Sequence, residues 1–183
     1  MESVIVALPA DVGGIAFDAI YRDHVEYVWT TLRRLGVWPA DLEDVAHEVF
    51  VTIHRRRDDF DATRPMRPWI FGIALRAASR YRRTTRRRRE VSGDHLTELA
   101  DHARGAAGEL EHRDARRIVF GALDRLNDEQ RAVFVLHELE GKSVPEISSE
   151  LDVPLNTVYS RLRLARGRFA AAASRLQTKE AQS

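Results

Sequence analysis

The chain has 183 residues with 44% hydrophobic and 31% charged content and a formal net charge of +1, a composition that suits one medium or two small globular domains and excludes a wholly disordered chain. It has no cysteine, which excludes disulfide frameworks, thiolate zinc sites and cysteine nucleophiles and leads us to expect a reducing, cytoplasmic setting. The apolar stretch Val4 to Leu8 lacks a basic flank and is too short for a signal core or a membrane span, so no membrane insertion of its own is expected.

After an N-terminal tail at 1–16, Phe17, Ile20, Tyr21, Val28, Leu32 and Leu35 keep helical spacing until Gly36 and Pro39 end the run. A second helix is expected from Asp41, read as its cap, with Leu42, Val45, Ala46, Val49 and Ile53 as the buried stripe. Glu43, Asp44, His47 and Glu48 then fall on its outer face. Asp58 to Pro68 reads as a loop, and Ile70, Ile73, Ala74, Ala77 and Tyr81 mark a third helix.

That helix runs into a block of one sign. Thirteen arginines fall between Arg55 and Arg89, seven of them from Arg80 to Arg89, against acids only at Asp58, Asp59 and Asp61. Solvated helix faces usually mix signs, so such a block points to a polyanion as partner. Arginine choice itself is less informative, because only Lys142 and Lys179 are lysine anywhere in the chain and a coding bias would give the same preference. Clustering carries the inference.

Residues 17–90 therefore read as one helical unit, and 91–112 as a flexible acidic linker. From Glu90 to Glu111 the charges are Glu90, Asp94, Glu98, Asp101, Glu109 and Glu111 against Arg104 alone, with few large apolar residues. A second unit, 113–170, opens on a stripe of Ile118, Val119, Ala122, Leu123 and Leu126, followed by Asn127 as the cap of a helix through Leu139. Ser143 and Glu146 make a capping box for a short helix carrying Ile147 and Leu151. Pro154 suits the first turn of another, in which Val158, Leu162, Ala165 and Phe169 share a narrow arc and leave Asn156, Tyr159, Ser160, Arg163 and Gly167 outward. A helix, a tight turn and a polar, basic second helix form the helix-turn-helix pattern. Residues 171–183 read as a C-terminal tail, and the fold class expected is all-α, two small helical domains joined by the linker.

The run Asp41-Leu42-Glu43-Asp44-Val45-Ala46-His47-Glu48-Val49-Phe50, then Phe60-Asp61, then Arg64 through Ala74, resembles conserved region 2 of bacterial sigma factors. Leu126 through Ala165, with Gln130-Arg131, Glu138-Leu139-Glu140-Gly141, Pro145-Glu146-Ile147 and Pro154 through Leu162, resembles region 4 of the same sigma-70 family. Two motif blocks occur in the right order, and the short connection leaves no room for a region 3 domain. The resemblance is therefore to the extracytoplasmic-function (ECF) group.

That resemblance implies partners and sites. Asp44, His47, Glu48 and Phe50 would dock on core RNA polymerase, with His47 standing where the motif more often has glutamine. Arg76, Arg80, Arg82, Arg83 and Arg86 would contact promoter DNA at the minus-10 element held as single strand, with Trp69, Phe71 and Tyr81 either stacking on bases or serving the core. Asn156, Thr157, Tyr159, Ser160, Arg161, Arg163 and Arg166 would face the minus-35 duplex. The linker would either thread the polymerase cleft or keep two basic units apart, and an anti-sigma factor is an implied partner.

Two other readings compete with the sigma one: a DNA-binding regulator that never joins polymerase, which leaves the first helical unit unexplained, and an arginine-rich RNA-binding protein, which leaves the helix-turn-helix idle. No Walker-type phosphate loop or nucleophile elbow is present, and the seven histidines are scattered, so neither catalysis, metal nor cofactor is expected.

Overall fold

The computed structural model describes residues 17–92 and 110–180. Its α-helices are α1 (Phe17–Arg34), α2 (Leu42–Arg56), α3 (Met66–Ser92), α4 (Leu110–Leu123), α5 (Asp128–Phe134), α6 (Val144–Leu151) and α7 (Leu155–Glu180), with no strand among the described residues. The all-α expectation holds. The tail at 1–16 and most of the acidic linker, including Glu98, Asp101 and Glu109, lie outside the described residues.

Helices α1, α2 and α3 pack on one another. The predicted stripe of α2 is buried in full, and Val28, Leu32, Val49, Ile53, Ile70, Phe71 and Ala74 form the centre of the bundle. Gly36, at φ +93°, turns the chain out of α1 while the amide of Val37 donates back to the Leu32 carbonyl at 3.0 Å. Asp41 is not the side-chain cap of α2. It closes a 3-10 turn, Pro39–Asp41, at φ −108° and ψ 1°, away from the extended backbone that a capping side chain needs. Its carboxylate instead accepts from the Tyr81 hydroxyl at 2.6 Å, tying the start of α2 to α3.

In the second unit α7 packs across α4, α5 and α6. Asn127 caps α5 by accepting from the Gln130 amide at 2.8 Å, and the winding continues to Leu139 as a π-helical stretch, Val135–Leu139. The capping box of α6 is formed on both sides, with the Ser143 amide donating to Glu146 at 2.8 Å. Asp152, left-handed at φ 52°, makes the tight turn into α7, and the Ser148 hydroxyl donates to the Val153 carbonyl at 2.6 Å. Val119 departs from its predicted stripe and is exposed. Because α4 stops at Leu123, Leu126 reaches the core from the following turn, and within 115–123 the buried positions of α4 are Gly121, Ala122 and Leu123. Helix α7 also runs past residue 170 to Glu180, through the Ala170–Ala173 run that favours helix.

The two units are packed against each other. Val133, Val135, Leu136, Val144 and Ile147 belong to the same apolar cluster as the cores of α1, α2 and α3. Arg33 lies over the Phe120 ring at 4.7 Å, and the Tyr27 hydroxyl is 3.4 Å from both carboxylate oxygens of Glu140. Burial raises the Glu140 carboxyl above its ordinary range, with Lys142 opposing.

Candidate nucleic-acid interface

A 27-residue helix with so many arginines is stable only if its first half is anchored, and α3 divides in this way. Ile70, Phe71, Ile73, Ala74, Ala77 and Ala78 are buried, which fixes the helix and sets the rotation of the arginines beyond them. Phe71 is a core residue. Trp69 is partly buried against Phe60, ring centroids 5.1 Å apart, and the Tyr81 hydroxyl is engaged by Asp41. Burial and that bond raise the Tyr81 phenol to about 12.

The five predicted minus-10 arginines do not share one environment. Arg76 and Arg83 are exposed and make no ion pair among the described residues. Arg80 pairs with Glu48 of α2, a residue assigned from sequence to the polymerase-facing set, so the two predicted surfaces meet at this contact. Arg82 is turned towards the second unit, where one guanidinium nitrogen meets Asp128 at 2.7 Å and another donates to the Leu126 carbonyl at 2.9 Å. Arg86 is exposed and engaged.

On α2, Asp44, His47 and Glu48 are exposed on one face. Phe50 is not on it. It is 5% exposed and packs against Tyr21 at 4.7 Å and Phe17 at 6.4 Å, because its position falls on the side of α2 that faces α1. Phe50 lies in the core of the bundle, not on the exposed face.

The second helix of the helix-turn-helix presents a graded surface. Val158, Leu162 and Ala165 are buried, so Asn156, Tyr159, Ser160 and Arg163 must point outward, and all four are exposed. Thr157 is half-buried at the margin. Arg161 and Arg166 are paired within the chain, with Glu129 at 2.8 Å and Glu138 at 2.7 Å, although Arg166 remains exposed. Arg168 donates to Gln130 at 2.9 Å. Arg163 makes no ion pair among the described residues and is the exposed cation in the middle of this face. Sequence reasoning passed over Leu155, which is 46% exposed at the start of α7. Its place one position before Asn156 and four before Tyr159 was a readable signal. The acidic partners of Arg82, Arg161 and Arg166 were not readable, since each lies far along the chain.

Behind these surfaces sits a buried cation. Arg131 is 1% exposed, bonded to Asp124 at 2.6 Å and to the Leu123 carbonyl at 2.9 Å, with its third nitrogen against Gly36 of the other unit. Burial and the neighbouring Arg82 lower its guanidinium to about 10, so it remains charged at neutral pH.

An arginine-rich helix set on one bundle and a helix-turn-helix on the other define a DNA-binding transcription protein. Residues 20–88 match the family Sigma-70 region 2, and residues 116–169 match Sigma-70, region 4. The ECF RNA polymerase sigma-E factor of Escherichia coli K12 is 31% identical over 135 residues, covering 69% of this chain and 71% of that protein. The RNA polymerase sigma factor CnrH of Cupriavidus metallidurans is 29% identical over 178 residues, covering 93% of each. A solved structure of CnrH in complex with the cytosolic domain of CnrY matches 85% of both chains with a TM-score of 0.58 and 26% identity. The fold of RpoE from Bartonella quintana, solved with the anti-sigma factor NepR, matches with a TM-score of 0.66 at 20% identity, over 86% of this chain and 96% of that one. The chain belongs to the sigma-70 family, in its ECF group, and is an RNA polymerase sigma factor.

Proposed function

We infer that this sigma factor binds core RNA polymerase through the exposed face of α2 at Asp44, His47 and Glu48. Through α3 it engages the minus-10 element as single strand, and through α7 it reads the minus-35 element as duplex. The observation that carries the reading is the outward face of α7, where Asn156, Tyr159, Ser160 and Arg163 are exposed above a fully buried Val158 and Ala165. A helix held in that way enters the major groove with its leading residues at base edges. Arg76 and Arg83, exposed on α3, supply phosphate contacts to a displaced strand.

Energetics assign promoter opening to the holoenzyme. Separating about ten base-pair steps costs on the order of 14 kcal/mol, whereas stacking two captured bases returns roughly 2–6 kcal/mol. The chain alone therefore binds without melting, and nucleotide chemistry belongs to the polymerase. A cytoplasmic setting follows from that partnership. The relative from Bartonella quintana was solved with an anti-sigma factor, which supports a regulator of that kind as a further partner of this chain.

Run-off transcription on fragmented genomic DNA with purified core enzyme tests the assignment. Discrete transcripts that need both components are expected. A chain that neither binds core enzyme nor changes its products would overturn this reading.

A further inference from the structure

The leading end of α7 carries two exposed apolar side chains beside the polar Asn156 and Ser160. Of the large hydrophobic side chains left exposed among the described residues, Leu155 at 46% and Tyr159 at 59% stand four residues apart, adjacent on the same helix face. Neither is covered by the other unit, although that unit packs closely elsewhere. The first turn of α7 offers no cation either: Leu155, Asn156, Thr157 and Val158 occupy it. Cations further along are mostly paired within the chain, Arg161 with Glu129 and Arg166 with Glu138, which leaves Arg163 beyond Tyr159. The surface is thus an apolar pair with Asn156 and Ser160 beside it, followed by Arg163, a cation that makes no ion pair among the described residues.

Major-groove chemistry narrows what such a surface can read. Arginine or lysine is the usual reader of guanine, through its paired acceptors, while exposed apolar groups find their complement in the thymine 5-methyl. The leading residues of a groove-bound helix are those that meet base edges. We propose that Leu155 and Tyr159 form an apolar reader that seats thymine methyl groups in the minus-35 duplex, with Arg163 anchoring the same face beyond them. The proposal rests on the duplex-reading role of α7 inferred above. It predicts that the contacted base pairs at the leading end of the helix carry thymine on one strand or the other, and that discrimination there is by methyl contact.

The test replaces each minus-35 thymine, on both strands, by deoxyuridine, which removes the methyl and nothing else. The promoter comes from the run-off assay, and the readout is the affinity of the reconstituted holoenzyme for that fragment. At one or more positions a loss of about fourfold per methyl is expected, the size of burying a single carbon group. Holoenzyme carrying Leu155→Ala should lose overall affinity and show no further loss on deoxyuridine DNA at that position, while Leu155→Met should keep the sensitivity. Because Leu155 is exposed, both variants should melt with the wild type, which a thermal scan checks. Wild-type holoenzyme indifferent to every deoxyuridine, or Leu155→Ala and Tyr159→Ala both as sensitive as wild type, overturns the proposal. If no promoter-dependent transcript forms at all, the duplex reading itself falls and takes this inference with it; methyl-insensitive transcription removes this inference alone.

Discussion

Arg131 shows how a single residue can be costly and retained. A buried guanidinium forfeits hydration, and its pairing with Asp124 at 2.6 Å and the Leu123 carbonyl offsets that loss only in part, with one nitrogen left without a hydrogen bond in the packed interior. The position suits an extended aliphatic stem better than it suits a charge. Replacing Asp124 by alanine leaves the cation only the Leu123 carbonyl and should lower stability by about 1.5–3 kcal/mol, the range for a hydrogen bond to a charged group. Arg131→Met removes the buried charge and leaves Asp124, whose side chain is 37% accessible and can hydrate, so it should lose less stability than Asp124→Ala. Urea unfolding of both variants measures the difference, and an Arg131→Met loss as large as that of Asp124→Ala would show that the charge itself holds the fold. Gly36 belongs to the same contact: a methyl there would lie 1.7 Å from the Arg131 guanidinium, at a φ of +93° that side chains rarely adopt.

At the scale of elements, what the sequence made legible was periodicity. The stripe of α2, the arc of α7, the Asn127 cap and the Ser143 box are local patterns, each decided within a turn or two of helix, and each appears in the structure. Asp41 and Phe50 were misread for a shared reason. Neither the cap, read from one helix considered alone, nor the Phe50 contact, implied by the family resemblance, takes the neighbouring helices into account: Tyr81 of α3 draws the Asp41 carboxylate away, and α1 covers Phe50 with Phe17 and Tyr21. The candidate sites follow the same division. Outward positions on α7 could be read from spacing, but the commitment of Arg82, Arg161 and Arg166 to distant acids could not. Phe50 supplies the measurable consequence. Phe50→Ala should cost about 3–5 kcal/mol in urea unfolding, as for other buried aromatics, while Asp44→Ala and His47→Ala, both exposed, should stay within about 0.5 kcal/mol. Any polymerase-binding defect in Phe50→Ala would then track the unfolded fraction, and a defect in a fully folded sample would return Phe50 to the contact surface.

Over the whole molecule, the two units are not independent in this arrangement. Arg82 extends from α3, yet its guanidinium meets Asp128 and the Leu126 carbonyl at the entrance to α5, an anionic site contributed by the other unit. Two of the guanidinium nitrogens are drawn into that site, so strand binding by Arg82 competes with this inter-unit contact. Linkage then requires that weakening one strengthens the other. The ion pair is partly exposed, side chains 23% and 35% accessible, so its worth is about 1 kcal/mol at most, up to about fivefold in affinity. Asp128→Ala should therefore raise the affinity of the free chain for single-stranded minus-10 DNA by a factor of up to about five and enlarge its radius of gyration in X-ray scattering. Added salt should shrink the gap in affinity between variant and wild type, since a partly exposed pair is screened at high ionic strength. Apolar contacts through Val133, Leu136 and Ile147 are untouched by the substitution and hold the units together against complete separation. An Asp128→Ala chain with unchanged affinity and unchanged dimensions would mean that Arg82 reaches DNA without leaving its partners, and that the two units move to promoter DNA as one body.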